Sequence, residues 1–103
     1  MPITIETIQN LGKIFEKGLE DEYLSRSLWK IIKHEKERTS QDIQSLRKDL
    51  DKFESEYKMS SDDFINRFEK GKMGDEEDYF EWAAIFKMYK RSMERFEMLE
   101  GLS

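Results

Sequence analysis

Four carboxylates in succession, Asp75, Glu76, Glu77 and Asp78, form the densest cluster of chemistry-bearing side chains in the sequence. A hard cation is the first ligand to test against them. An EF-hand loop needs oxygen ligands alternating over about twelve residues, around a central glycine and closing on a glutamate. The run DEEDYFEW has no such spacing. Acid in the first turn of a helix, where the macrodipole stabilises each charge by about 0.3–1 kcal/mol, accounts for all four. Other candidates are sparser. His34 is the single histidine, it sits among charges, and HEKER is not HExxH because position 38 is Arg38. Without cysteine there is no thiol nucleophile, disulfide or Cys-ligated metal. A Gly-rich phosphate loop is also missing. Glu81 beside Trp82 would have a raised pKa if it were buried, but a surface glutamate flanking a packed seam is the favoured reading. The expectation is a non-enzymatic chain with no cofactor and no metal.

Basic residues offer a second kind of chemistry. Lys87, Lys90, Arg91 and Arg95 line the second half of the last helical segment, diluted by Glu94, Glu97 and Glu100. The net charge is -5 with a pI near 5.0, and no aromatic platform or groove-reading motif accompanies the stripe. That balance argues against nucleic acid as the main partner. No run of about 18 apolar residues is present, and MPITIETIQN lacks the basic and apolar regions of a signal peptide. A cytoplasmic protein without a membrane partner is expected.

The elements that must carry these residues follow from composition. Charged residues make up 40% and hydrophobic ones 37%, against about 25% and 45–50% in ordinary globular chains. Long helices with one narrow buried stripe suit that balance. The only proline is Pro2, and no glycine falls between Gly18 and Gly71. The reading is all-α: a single helical domain over 1–103 with helices near 5–17, 20–58, 61–70 and 76–100.

Thr4 is placed to cap the first helix, with Ile3 and Ile8 as a hydrophobic staple and Gly18 as the stop. Ile8, Leu11, Phe15 and Leu19 form its apolar stripe, the pattern of an amphipathic helix that packs on its own domain or docks on another chain. In the long second segment Trp29, Ile32, Ile43, Leu46, Leu50, Phe53 and Tyr57 keep one 3-4 register, with Lys36 and Thr39 at the intervening seam positions. The unbroken phase favours one helix through Thr39 and Ser40. It would span roughly 55–60 Å, longer than a compact bundle of this size needs.

Punctuation then becomes sharp. Ser60 is the N-cap of a short helix with Asp63 three residues on, Phe64, Ile65 and Phe68 make its buried face, and Gly71 suits the left-handed position after it. Asp75 is the expected cap of the last helix, which carries Tyr79, Trp82, Phe86, Tyr89, Met93 and Phe96 at 3-4 spacing. Two such seams pack antiparallel at roughly 20°. The expected fold is therefore a long, coiled-coil-like helical hairpin with a short corner helix and an N-terminal amphipathic helix.

The residues Phe53, Glu54, Tyr57, Met59, Ser60, Ser61, Phe64, Phe68, Gly71, Gly74, Asp75, Asp78, Glu81 and Trp82 form the pattern FExxYxMSSxxF…GxxGDxxDxxEW. In this C-terminal half the chain resembles a group of small, largely uncharacterised bacterial and archaeal helical proteins, some of which look like partners of small toxins. The resemblance implies an antitoxin-like interaction protein that neutralises a small basic toxin, and it supplies no catalytic residues. Ile8, Leu11, Phe15 and Leu19 are the candidate contacts, since the C-terminal aromatics are committed to the core. A self-associating coiled-coil protein is the alternative, with a homodimer expected because the second helix outruns the last one.

Overall fold

The computed structural model describes residues 1–102 and is all-α. Four helices, α1 (Ile5–Glu16), α2 (Glu22–Tyr57), α3 (Ser61–Glu69) and α4 (Glu77–Glu100), follow one another with no strand among the described residues. Each ends within a residue or two of its expected bounds. The Thr39–Ser40 pair lies inside α2, which is continuous. Contacts group the chain into two compact units, Met1–Lys33 and the stretch from His34 onward.

Local chemistry explains the helix ends. Thr4 Oγ1 accepts the Thr7 N–H at 3.1 Å, and Ser60 Oγ accepts the Asp63 N–H at 3.1 Å. Asp21 Oδ1 accepts the Leu24 N–H at 2.8 Å, which sets the start of α2 after Asp21. At the other ends, α1 and α3 close with glycine in the left-handed region, Gly18 at φ 68° and Gly71 at φ 72°. In both, two crossed backbone bonds complete a Schellman motif: Leu19 N–H to Ile14 C=O at 2.8 Å with Gly18 N–H to Phe15 C=O, and Lys72 N–H to Arg67 C=O at 2.9 Å with Gly71 N–H to Phe68 C=O. At the end of α2 the Met59 N–H reaches the Glu54 C=O at 3.3 Å, and there the left-handed residue is Lys58, at φ 52°.

Asp75 does not cap α4. The capping position is Glu76, extended at φ -65° and ψ 142°, with no side-chain cap bond. The helix begins one residue later than expected, so Asp75 lies outside the reach of the orphan N–H groups. Asp78, in the first turn, accepts the Tyr57 hydroxyl at 2.7 Å and ties the start of α4 to the end of α2.

Within the unit from His34 onward, α2 packs antiparallel on α4. Tyr57 meets Asp78 at one end, and Lys36 lies 3.7 Å from Glu100 at the other. The α2 seam runs through Lys36, Thr39, Ile43, Leu46, Leu50, Phe53 and Tyr57, an unbroken 3-4 alternation in which Thr39 and Leu50 are buried. On α4 the packed line passes through Trp82, Ile85, Tyr89, Ser92, Phe96 and Leu99, flanked by buried Ala83 and Phe86. Met93, expected on this seam, is 44% exposed. It sits one residue, about 100°, round the helix from Ser92, which takes the inward place.

The left-handed Lys58 leads to an expected outcome. An L-residue there costs roughly 1–2 kcal/mol, partly offset for glycine by its greater unfolded-state freedom. Lys58→Gly should therefore stabilise the unit by about 0.5–1 kcal/mol. Urea unfolding in a Trp29→Phe background, with Trp82 as reporter, measures this, and a lower midpoint would contradict it.

Candidate functional site

The corner where α2, α3 and α4 meet holds the densest constellation. Trp82 is fully buried and stacked between Phe64, at 3.9 Å between centroids, and Phe53, at 5.5 Å. Its indole N–H needs an acceptor in this apolar setting, and Ser61 Oγ supplies it at 2.9 Å. Ser61 in turn gives its backbone N–H to Glu54 Oε2 at 2.9 Å and its hydroxyl to the same carboxylate. Glu54 Oε1 accepts from Arg47 Nη2 at 2.8 Å, and Arg47 Nε donates to Asp51 at 2.9 Å. The guanidinium lies over the Tyr89 ring at 5.5 Å.

Each polar side chain in this chain of hydrogen bonds has a partner. Burial works against the charge on Glu54, but the Ser61 hydroxyl and amide and the Arg47 guanidinium outweigh it and hold the carboxyl below its ordinary pKa. Burial likewise opposes the charge on Arg47, and its bonds to Asp51, Tyr89 and Glu54 reverse that effect. The hydrogen bond to Asp78, aided by desolvation, raises the Tyr57 phenol above its usual range. The relay holds the corner together. Ser61 was named only as part of the MSS pattern, with no role, and Arg47 was not singled out by sequence reasoning. Nothing local marks Arg47 as the partner of Glu54, which lies seven residues on.

The expected core residues divide by depth. Leu50, Phe64, Trp82 and Phe86 are buried, while Leu46, Phe53, Tyr57, Phe68, Tyr79, Tyr89 and Phe96 are half-buried around them. Beside this core, Asp49, Lys52, Glu56, Asp78 and Glu81 rim an acidic cleft of 320 Å³. Among the described residues, no three His, Asp or Glu side chains converge as a metal centre requires. Two cations of the basic stripe of α4 make contacts within the fold: Arg95 bonds to Glu35, which Arg38 also reaches at 3.1 Å, and Lys90 lies over the Phe86 ring at 5.3 Å.

Residues 1–33 look different. Not one is fully buried. The four candidate contacts split: Leu11 and Phe15 are half-buried, whereas Ile8 and Leu19 are 55% and 71% exposed. Phe15 faces Ser25, Leu28, Trp29 and Ile32 across an apolar cleft of 330 Å³ between α1 and the opening turns of α2. Tyr23, Trp29 and Ile31 stand exposed on the same turns. Charge is balanced here, Glu6, Glu16, Glu20, Asp21 and Glu22 against Lys13, Lys17, Arg26, Lys30 and Lys33, so the net -5 belongs to the rest of the chain.

No helix among the described residues is long and apolar enough to cross a membrane. Set beside protein-family models, curated proteins and solved structures, the chain matches none of them.

Two outcomes follow from the corner. Ser61→Ala removes the acceptor of a buried indole N–H and should cost about 1–3 kcal/mol. A cycle with Trp82→Phe should recover part of that loss; strict additivity would show that the bond carries no coupling. The Glu54 carboxyl titrates lower when folded, so its contribution is present above its unfolded pKa of about 4.3 and lost as pH falls through the lowered value. Wild type should thus lose more stability between about pH 6 and 3 than Glu54→Gln, the gap seen at neutral pH closing in acid. Urea midpoints at the two pH values test it, and parallel losses would refute the role given to Glu54.

Proposed function

We propose that the protein is a non-enzymatic helical interaction module that docks a small basic protein in the cleft between α1 and the opening turns of α2. The observation that carries this reading is the state of residues 1–33: none is fully buried, although Trp29, Ile31 and Tyr23 stand exposed beside an apolar cleft. Single exposed apolar side chains are ordinary, but a whole helical unit with an open apolar cleft fits a surface that is covered by another chain. A protruding apolar side chain of the partner would enter between Phe15 and Leu28 and pack against Trp29, the residue type enriched at binding hot spots.

Charge supports a basic partner. The net -5 lies outside the docking unit, so it attracts a cationic protein from a distance while the contact itself stays apolar. An antitoxin-like role in the cytoplasm, with a small basic toxin as the partner, is the specific form suggested by the resemblance of the C-terminal half. Neutralisation would come from covering the toxin's working surface, which needs no chemistry from this chain.

Co-expression with a small basic protein encoded beside it is the direct experiment. Suppressed toxicity and a copurifying complex are expected, and Trp29→Asp should weaken the complex by 2 kcal/mol or more, about thirtyfold. Equal copurification with Trp29→Asp would remove the cleft from the proposal. Failure of the wild-type chain both to bind and to rescue would remove the antitoxin role.

A further inference from the structure

The flanks of α2 and α4 carry an order of charges that packing within the chain does not use. On α2, Arg38, Asp42, Ser45, Asp49, Lys52 and Glu56 follow at intervals of four, three, four, three and four. At about 100° per residue this spacing keeps all six within about 40° of one line along the helix. On α4, Glu77, Glu81, Ala84, Met88, Arg91 and Arg95 follow at the same intervals. Both lines lie on one side of the hairpin: Asp49, Lys52 and Glu56 share the acidic cleft with Glu81, while Arg38 and Asp42 share a second cleft, of 220 Å³, with Met88, Arg91 and Arg95. Every member is exposed except the half-buried Asp49. Arg38 and Arg95 reach Glu35, but the side chains of the other seven charged members make no ion pair or hydrogen bond among the described residues.

We infer that this face binds a second copy of the chain, α2 antiparallel on α2 and α4 antiparallel on α4, because each line is complementary to its own reverse. Turned about a two-fold axis level with Arg47, the α2 line sets Arg38 against Glu56, Asp42 against Lys52 and Ser45 against Asp49 of the second copy. Turned about the level of Phe86, the α4 line sets Glu77 against Arg95, Glu81 against Arg91 and Ala84 against Met88. One axis serves both lines, since Arg47 reaches over the ring of Tyr89, within a turn of Phe86. No like charges meet in this register. A slide of seven residues either way would set Ala84 and Met88 against the two arginines or the two glutamates of α4, so the charges specify the register as well as the partner. The face holds four cations and five anions, and little of the net -5 opposes the approach. The contact is isologous, with every pair made twice. Ion pairs that are weak singly act here as a set. No residue of 1–33 takes part, so the inference does not rest on the basic partner.

Sedimentation equilibrium on the full chain, from about 1 to 200 µM, is the test, a range suited to a small polar contact. In about 50 mM salt wild type should pass from monomer to dimer, and in about 500 mM salt, where the pairs are screened, its dissociation constant should rise roughly tenfold or more. Arg91→Glu and Glu81→Arg each place two like-charged pairs in the contact, and each should raise the constant roughly tenfold or more. Helicity by circular dichroism should hold in both, since the two side chains are exposed. An equimolar mixture of the two variants sets Glu against Arg at both places again, so it should associate about as tightly as wild type. A wild-type chain that stays monomeric at about 200 µM in low salt overturns the inference. So does a constant indifferent to salt or to either variant, or a mixture no tighter than its two components.

Discussion

Trp82 imposes the constraint on which the unit from His34 onward depends. Its ring is the largest side chain to be fully buried, and it carries one N–H that an apolar core cannot leave unpaired without a cost of about 1–3 kcal/mol. Ser61 meets that requirement from the first turn of α3, so the start of α3 is held against the second turn of α4. Glu54 then holds Ser61 by amide and hydroxyl, and Arg47 holds Glu54. Three helices are thereby fixed by one buried ring and a line of hydrogen bonds, with Phe53 and Phe64 closing over its two faces.

The distribution of side chains follows from that arrangement. The buried aromatics lie at the corner, and the far end of the α2–α4 seam is lined by smaller or polar residues such as Thr39 and Ser92. Residues 1–33 have no counterpart to Trp82 and bury nothing completely. The buried core and the exposed apolar side chains thus lie in different parts of the chain. The N-terminal unit keeps apolar surface open because no internal core claims it.

Much of the fold was legible in the residues themselves. The continuous phase from Lys36 to Tyr57, the Thr4 and Ser60 caps and the glycine at position 71 are all local signals, read by a helix from its own neighbours. Sequence spacing was less informative where two registers were possible. Met93 and Ser92 are adjacent, and hydrophobicity points to Met93, yet the packed line of α4 passes through Ser92. Asp75 is a good capping residue by type, but α4 starts too late for it to act. The candidate site was half visible: its stripe could be named, but only the fold separates the half-buried Leu11 and Phe15 from the exposed Ile8 and Leu19.

By itself the sequence determined that the chain is helical, where its helices lie to within a residue or two, and which aromatics form a core, because capping, glycine placement and periodicity act over a few residues. Tertiary structure decided which carboxylate meets which cation, that Ser61 sits beneath the indole, and which apolar groups remain exposed. Those outcomes depend on groups far apart in the chain: Arg47 and Tyr89, Tyr57 and Asp78, Ser61 and Trp82. No local pattern encodes such distances. They are set when the helices pack and each buried polar atom takes the partner within reach.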